Sequence, residues 1–147
     1  AQCLVGSEMC IRDSLSNYIW DMKNCEFTKL FTEQVACKNR EPYIFKYDGK
    51  YIASCDLVFD YGEYTEKSKK IYLSRLIVKK EYRDKGIGQE VLKQMINLCK
   101  NKDYKYITLG VDTDNANAVH IYKKNGFKIY ETDIDKYGKY YKMILTI

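Results

Sequence analysis

A glycine-rich turn between a strand and a helix constrains this chain more than anything else in it. Residues 71–78, Ile-Tyr-Leu-Ser-Arg-Leu-Ile-Val, are rich in β-branched and aromatic side chains and read as a strand. A charged stretch, 79–85, leads into Gly86-Ile87-Gly88. Beyond it Ile87, Val91, Leu92, Met95, Ile96 and Cys99 recur at helical spacing, with Gln89, Glu90, Lys93, Gln94 and Asn97 between them. The glycines therefore stand where a strand hands over to a helix N-terminus. Free N–H groups and the helix dipole favour an anion there, and the missing Cβ lets a phosphate approach the backbone. The turn lacks the Gly-Lys-Ser/Thr ending of a P-loop and the third glycine of the dinucleotide-binding register.

The segments on either side are local and readable. Tyr18, Ile19 and Met22 form one short helical stripe, and Phe27, Leu30, Phe31, Val35 and Ala36 form a second. Pro42 closes the second, because the residue before a proline avoids helical backbone. Residues 43–47 and 50–53, split by Asp48-Gly49, carry the strongest hairpin signal in the chain, and the second strand can run on through Leu57, Val58 and Phe59. Residues 60–70 are polar and read as a loop. Residues 105–112 alternate Ile107, Leu109 and Val111 with polar or small neighbours and predict a strand. Asp112, Thr113 and Asp114 supply caps for a helix over 115–125 with Ala118, Ile121 and Tyr122 inward, and Gly126 ends it. Residues 127–130 and 139–147 predict two closing strands, joined by a polar turn through Asp133, Asp135 and Gly138. Runs of strands interleaved with helices make the fold α+β with a mixed sheet.

Composition excludes several classes. The chain has 147 residues, 46% hydrophobic and 31% charged, enough for one packed core and too apolar for a disordered segment. Its net charge of +5 is dispersed, and no basic run alternates with exposed aromatics, so a solvated lysine surface outweighs a nucleic-acid footprint. No apolar stretch reaches membrane-spanning length. Cys3, Cys10, Cys25, Cys37, Cys55 and Cys99 contain no C-x-x-C pair, and His120 is the single histidine, which excludes a multi-histidine metal site. Free thiols point to a reducing compartment, the cytoplasm. Residues 3–14, CLVGSEMCIRDS, are similar over twelve consecutive positions to the read-through translation of a transposase-type sequencing-library adapter. They lack the basic start and apolar run of a secretory signal. Residues 1–14 are therefore read as a non-native segment, and 15–147 as one domain.

The turn Arg83-x-x-Gly86-x-Gly88 resembles the acyl-CoA pyrophosphate loop of the GNAT superfamily, the acetyl-CoA-dependent N-acyltransferases. A second stretch, VDTDNANAVHIYKKNGF, matches the superfamily's Asn-x-x-Ala-x-x-x-Tyr-x-x-x-Gly-Phe at Asn115, Ala118, Tyr122, Gly126 and Phe127. Both motifs lie in the right order on the expected elements, and the element order agrees over residues 15 to 147. The resemblance implies a mixed, mostly antiparallel sheet flanked by helices. It also implies that the superfamily's first strand, due before Leu15, is missing, which opens the edge of 43–47 to pairing and self-association, as in a homodimer.

What the resemblance implies for chemistry is specific for the donor and coarse for the acceptor. The backbone of Leu76, Ile77 and Val78 would pair with the pantetheine arm in a splay between strands, and the Leu76 N–H would polarise the thioester carbonyl. An oxyanion donor of this kind is worth about 3–4 kcal/mol. Arg83, Asp84, Lys85, Gly86, Ile87, Gly88 and Gln89 would cradle the pyrophosphate, with Asn115 as a further ligand contact. Tyr122 would protonate the leaving CoA thiolate, which a phenol of pKa ~10 does for a thiol of pKa ~8.5 only when positioned. Acetyl-CoA is then the co-substrate, no metal takes part, and the acceptor is an amine of a small molecule or peptide. The positions that hold a glutamate base in other members carry Tyr72 and Gly110, with Asp112 two residues on as base through water or as helix cap. Cys99 and His120 are read as idle. A non-catalytic acyl-CoA-binding module stays open as the alternative.

Overall fold

The structure, a computed structural model, describes residues 8–11 and 25–147, with side chains from residue 29 onward. Residues 1–58 with 75–92 form one compact unit, and residues 59–74 with 93–147 form another.

In the first unit the Asp-Gly hairpin organises the strands. Asp48 and Gly49 both have positive φ (50° and 71°), the backbone of a type I′ turn that matches strand twist. They join β2 (Arg40–Tyr47) to β3 (Lys50–Val58) in an antiparallel pair with one bulge between Phe45 and Lys46. From Ile52 to Val58 every residue of β3 is buried, Ser54 and Asp56 among them, so the strand is covered on both faces. The helix α1 (Cys25–Ala36) sets Phe31 fully inside, but Leu30, expected on the same stripe, is 45% exposed, and Ala36 is exposed as well. The stripe at Tyr18, Ile19 and Met22 lies outside the described residues.

One expectation is corrected here. The edge of β2 is not open: β1 (Glu8–Ile11) pairs antiparallel with it, Glu8 opposite Lys46 through Ile11 opposite Tyr43. A strand therefore stands where the sequence reading left the first strand missing. Backbone pairing needs only N–H and C=O groups, and a bare edge supplies both to whatever segment is within reach.

In the second unit the first residues of β4 (Lys70–Val78) pair in parallel with β5 (Tyr106–Asp112), at 70–72 against 106–108. Along its other edge β5 pairs antiparallel with β7 (Gly138–Thr146) over its whole length, and β7 pairs with β6 (Lys128–Asp135). Ile71, Leu73, Ile107, Leu109 and Met143 fill this core, together with Met95 and Cys99 from the later turns of α2 (Ile87–Asn101). The helix α3 (Ala116–Lys124) is capped by Asn115, whose Oδ1 accepts from the Ala118 N–H at 3.3 Å, rather than by Asp112 to Asp114 as the sequence suggested. Gly126, at φ +95°, turns the chain out of the helix as predicted, and an added Cβ there would stand 3.1 Å from Leu145.

β6 runs to Asp135, five residues past the predicted end at Tyr130. Its sequence is too polar to announce a strand, and what holds it is across the ladder. Lys142 on β7, only 3% exposed, sends Nζ to Glu131 Oε2 at 2.7 Å, Glu63 Oε1 at 2.6 Å and Asp133 Oδ2 at 3.5 Å. The hydrogen bonds to Glu131 and Glu63 hold the Lys142 ammonium well above the usual lysine range. The Ile134 N–H, and after it Lys142, hold Asp133 below the usual carboxylate range against a smaller opposing effect of desolvation. For a lysine with a raised folded value, the contribution is full below its unfolded pKa near 10.5 and fades only as pH rises through the higher folded value. For Asp133, lowered on folding, the contribution is present above its unfolded value of 3.8 and is lost as pH falls through the folded one. Lys142→Met should therefore lower the melting temperature at pH 7 and lose less than the parent between about pH 5 and pH 3. Parallel thermal melts across that range check it; identical pH slopes would contradict the assignment.

Candidate active site

The residues expected to hold the acyl donor, 76–78 and 83–89, lie in the first unit. After Val78 the chain makes a single 3₁₀ turn, Lys80–Tyr82, and then a loop whose φ is positive at Asp84 (61°) and Gly86 (77°). The Arg83 guanidinium folds back on the strand end, Nε donating to Val78 O at 2.9 Å, and Lys85 Nζ donates to Glu81 O at 3.4 Å. The first hydrogen bond of α2 runs from the Glu90 N–H to Gly86 O at 3.2 Å. The N–H groups of Ile87, Gly88 and Gln89 therefore precede the helical ladder, where a helix has no acceptor of its own to offer. Ile87 itself is 2% exposed, so its side chain pins the turn while the backbone stays at the surface. Arg83, Asp84, Lys85 and Gly86 are exposed, and Leu76, Ile77, Val78, Gly88 and Gln89 are half-buried. The arrangement is an anion cradle: helix-start amides, a left-handed glycine and two cations.

Asn115 and Tyr122 lie in the second unit. Asn115 is spent in part on its cap, through Oδ1. Tyr122 is 8% exposed and packs edge-on against Phe127, ring centroids 5.7 Å apart. Cys99 is buried, and burial pushes its thiol up to about 12, which removes it as a nucleophile at neutral pH. His120 is exposed on α3.

At the two positions considered for a base, the structure explains what stands there. A Cβ on Gly110 would lie 3.3 Å from the Tyr72 hydroxyl and 3.7 Å from the Tyr140 ring, so the glycine makes room for the tyrosines. Tyr72 packs with Tyr61 and Tyr64 at centroid distances of 4.8 and 4.9 Å, and Tyr61 stacks on Tyr64 at 5.1 Å. Burial, reinforced by a hydrogen bond with Tyr140, pushes the Tyr64 phenol well above its usual range, so it holds its proton. Asp112, at the end of β5, is exposed. The sequence reading missed this tyrosine cluster; the signal available was Tyr61-Gly-Glu-Tyr64 within a loop otherwise dominated by charge. Among the described residues no group of three or more metal-ligating side chains occurs, and no helix is long and apolar enough to cross a membrane.

The family model described as Acetyltransferase (GNAT) family matches residues 12–127, and the chain belongs to that family. N-alpha-acetyltransferase 50 of Danio rerio is 34% identical over 83 residues, covering 56% of this chain and 47% of that protein. The chain thus spans about half of that relative's length. A probable spermine N(1)-acetyltransferase of Bacillus subtilis subsp. natto (strain BEST195) is 29% identical over 118 residues, covering 78% of this chain and 76% of that one. Among solved structures, a Bacillus subtilis acetyltransferase in complex with CoA superimposes with a TM-score of 0.81 at 14% identity, over 96% of this chain and 99% of that one. A GNAT family acetyltransferase from Elizabethkingia anophelis with acetyl-CoA bound gives 0.78 at 16%, over 96% and 98%. At such identities the likeness is one of fold, and the fold is the GNAT mixed sheet flanked by helices.

The cradle makes its own prediction. Valine at position 86 would have to hold φ near +77° with a branched Cβ where phosphate should approach. Gly86→Val should abolish binding of coenzyme A measured by calorimetry; undiminished affinity would show that the loop is not the anion site.

Proposed function

We propose that this chain transfers the acetyl group of acetyl-CoA to a primary amine of a small molecule or peptide, by direct attack in a ternary complex. The observation that carries the reading is the cradle at the start of α2, where Gly86 is left-handed and the amides of Ile87, Gly88 and Gln89 precede the ladder. These residues fit a pyrophosphate: several N–H donors converge at a positive helix end, with Arg83 and Lys85 as cations. Acetyl-CoA supplies an activated thioester when bound.

The residues of the chain then have distinct tasks. Leu76, Ile77 and Val78 offer backbone groups to the pantetheine, and the Leu76 N–H donates to the carbonyl oxygen as it gains charge. Arg83, Asp84, Lys85, Gly86, Ile87, Gly88 and Gln89 hold the pyrophosphate, and Asn115 adds a contact. The amine nitrogen bonds to the acetyl carbon, the carbon–sulfur bond breaks, and Tyr122 gives its proton to the departing sulfur; the proton shed by the new amide nitrogen passes through water and restores the Tyr122 phenol. With tyrosine and glycine where a carboxylate base would stand, the amine must reach the site already neutral or lose its proton through water. The relatives named for spermine and for N-alpha acetylation support an amine acceptor of either kind. The free thiols of Cys37, Cys55 and Cys99 suit the reducing cytoplasm in which we place the reaction.

Two experiments test this. Acetyl-CoA at a hundred times its Kd should add about 2.7 kcal/mol of apparent stability, and an amine panel should release free thiol from it. Stabilisation without thiol release from any amine would leave an acyl-CoA-binding protein and end the enzymatic reading. Tyr122→Phe should lower kcat by about 10²–10⁴ while the Kd for acetyl-CoA stays close to the parent value. An unchanged kcat would return Tyr122 to its packing role against Phe127.

A further inference from the structure

The middle of β4 contains a backbone conformation that its side chain has to hold. Arg75 lies inside the strand with φ +56°, whereas the other described non-glycine residues of positive φ, Lys38, Asp48, Ser68, Asp84 and Asp103, lie in turns. A residue with a Cβ adopts this region only where its surroundings dictate it. Here they do. Arg75 NH1 meets Asp56 Oδ2 at 3.3 Å, and the same oxygen takes Arg40 NH1 at 2.7 Å. Both guanidinium groups lie over the Phe31 ring, at 5.0 Å for Arg75 and 5.3 Å for Arg40. Arg40 is held further by Gln34, Nε to Oε1 at 2.8 Å. The side chains of Asp56, Arg40 and Arg75 are 0%, 5% and 7% exposed. Four residues on, the Lys79 N–H donates to Ile52 O at 2.9 Å, so the chain is anchored to β3 on both sides of Leu76, Ile77 and Val78.

This triad is an odd choice if stability were its purpose. Asp56 Oδ1 and Ser54 Oγ are buried without hydrogen-bond partners, and burial raises the Asp56 carboxyl against the pull of the two arginines. Buried ion groups are often matched or bettered by apolar side chains of similar volume. An arrangement that retains charge with one oxygen unsatisfied is better explained by what it positions.

We propose that Asp56 is a positioning residue for the acyl donor: through Arg75 it holds the left-handed residue inside β4 and so sets how the backbone of Leu76, Ile77 and Val78, which follow it in the strand, is presented to the pantetheine. The proposal rests on the reading of those three residues given under Proposed function. Arg75 has no contact with the reacting atoms; it transmits the constraint.

The test uses what glycine does for free. In Arg75→Ala the clamp is gone and the Cβ still opposes positive φ; in Arg75→Gly the clamp is gone but the turn costs nothing. Both keep Asp56 paired with Arg40, so neither strands a buried carboxylate. The full chain should bind acetyl-CoA about tenfold more weakly as Arg75→Ala, with KM for acetyl-CoA rising and KM for the amine unchanged. Arg75→Gly should stay within about twofold of the parent, and Asp56→Asn should fall with the alanine variant. A side chain that served only to pack on Phe31 would make glycine at least as harmful as alanine, and that result would overturn the proposal. Equal affinity in parent, alanine and glycine proteins would overturn it as well, leaving the donor site intact. A parent protein that does not bind acetyl-CoA would sink the donor reading itself, and this inference with it.

Discussion

A strand that is to offer its backbone to a ligand has to be held along one edge and left open along the other. β4 can meet this requirement for the proposed donor site. Its first residues, 70–72, are committed to β5 in a parallel ladder, and among the described residues that ladder ends at Tyr72 and Thr108. Thr108 marks the stop, fully buried with its hydroxyl donating to Tyr64 O at 2.6 Å. Three residues later Arg75 reverses the sign of φ, its guanidinium held by Asp56, and the strand continues as the neighbour of β3, where the Lys79 N–H reaches Ile52 O. Backbone groups left unpaired in a folded protein are costly unless water or a ligand satisfies them. That cost makes such a segment receptive to an amide-bearing ligand such as pantetheine.

The same principle governs the loop that follows. The amides before Glu90 lie ahead of the α2 ladder, and the left-handed backbone at Asp84 and Gly86 turns the loop around them. Arg83 folds onto the carbonyl at the strand end, Val78 O, and Lys85 onto Glu81 O of the 3₁₀ turn, which ties both cations to the backbone just ahead of the helix start. This loop is thus built from local hydrogen bonding. Around Gly110 the space that a carboxylate side chain would need belongs instead to Tyr72 and Tyr140.

What could be read in the sequence follows from how local each feature is. The Asp48-Gly49 turn, the glycine turn before α2 and the Gly126 stop are all backbone demands that a few residues announce, and each was found where expected. Features that depend on a partner far along the chain were not legible. The stretch of β6 from Glu131 to Asp135 reads as a turn until Lys142 on β7 neutralises it. The Tyr61–Tyr64–Tyr72 cluster joins a loop to a strand. Leu30 looks like core beside Phe31, yet among the described side chains of the helix Phe31 is fully buried and Leu30 is exposed. The strand at Glu8–Ile11 was not expected because residues 1–14 read as a non-native segment, while the edge of β2 accepts any backbone. Arg75 was read as one more strand residue, since nothing in Ser-Arg-Leu reveals that its guanidinium meets Asp56 nineteen positions earlier.

The central claim is that a run of backbone amides binds the acyl donor. Amide chemical shifts of the ¹⁵N-labelled chain, followed through a titration with acetyl-CoA, test it most directly. The account predicts saturable shifts concentrated at Leu76, Ile77 and Val78 and at Ile87, Gly88 and Gln89, with β6 and the outer residues of β7 nearly still. Shifts that saturate elsewhere while these six amides do not move would contradict it.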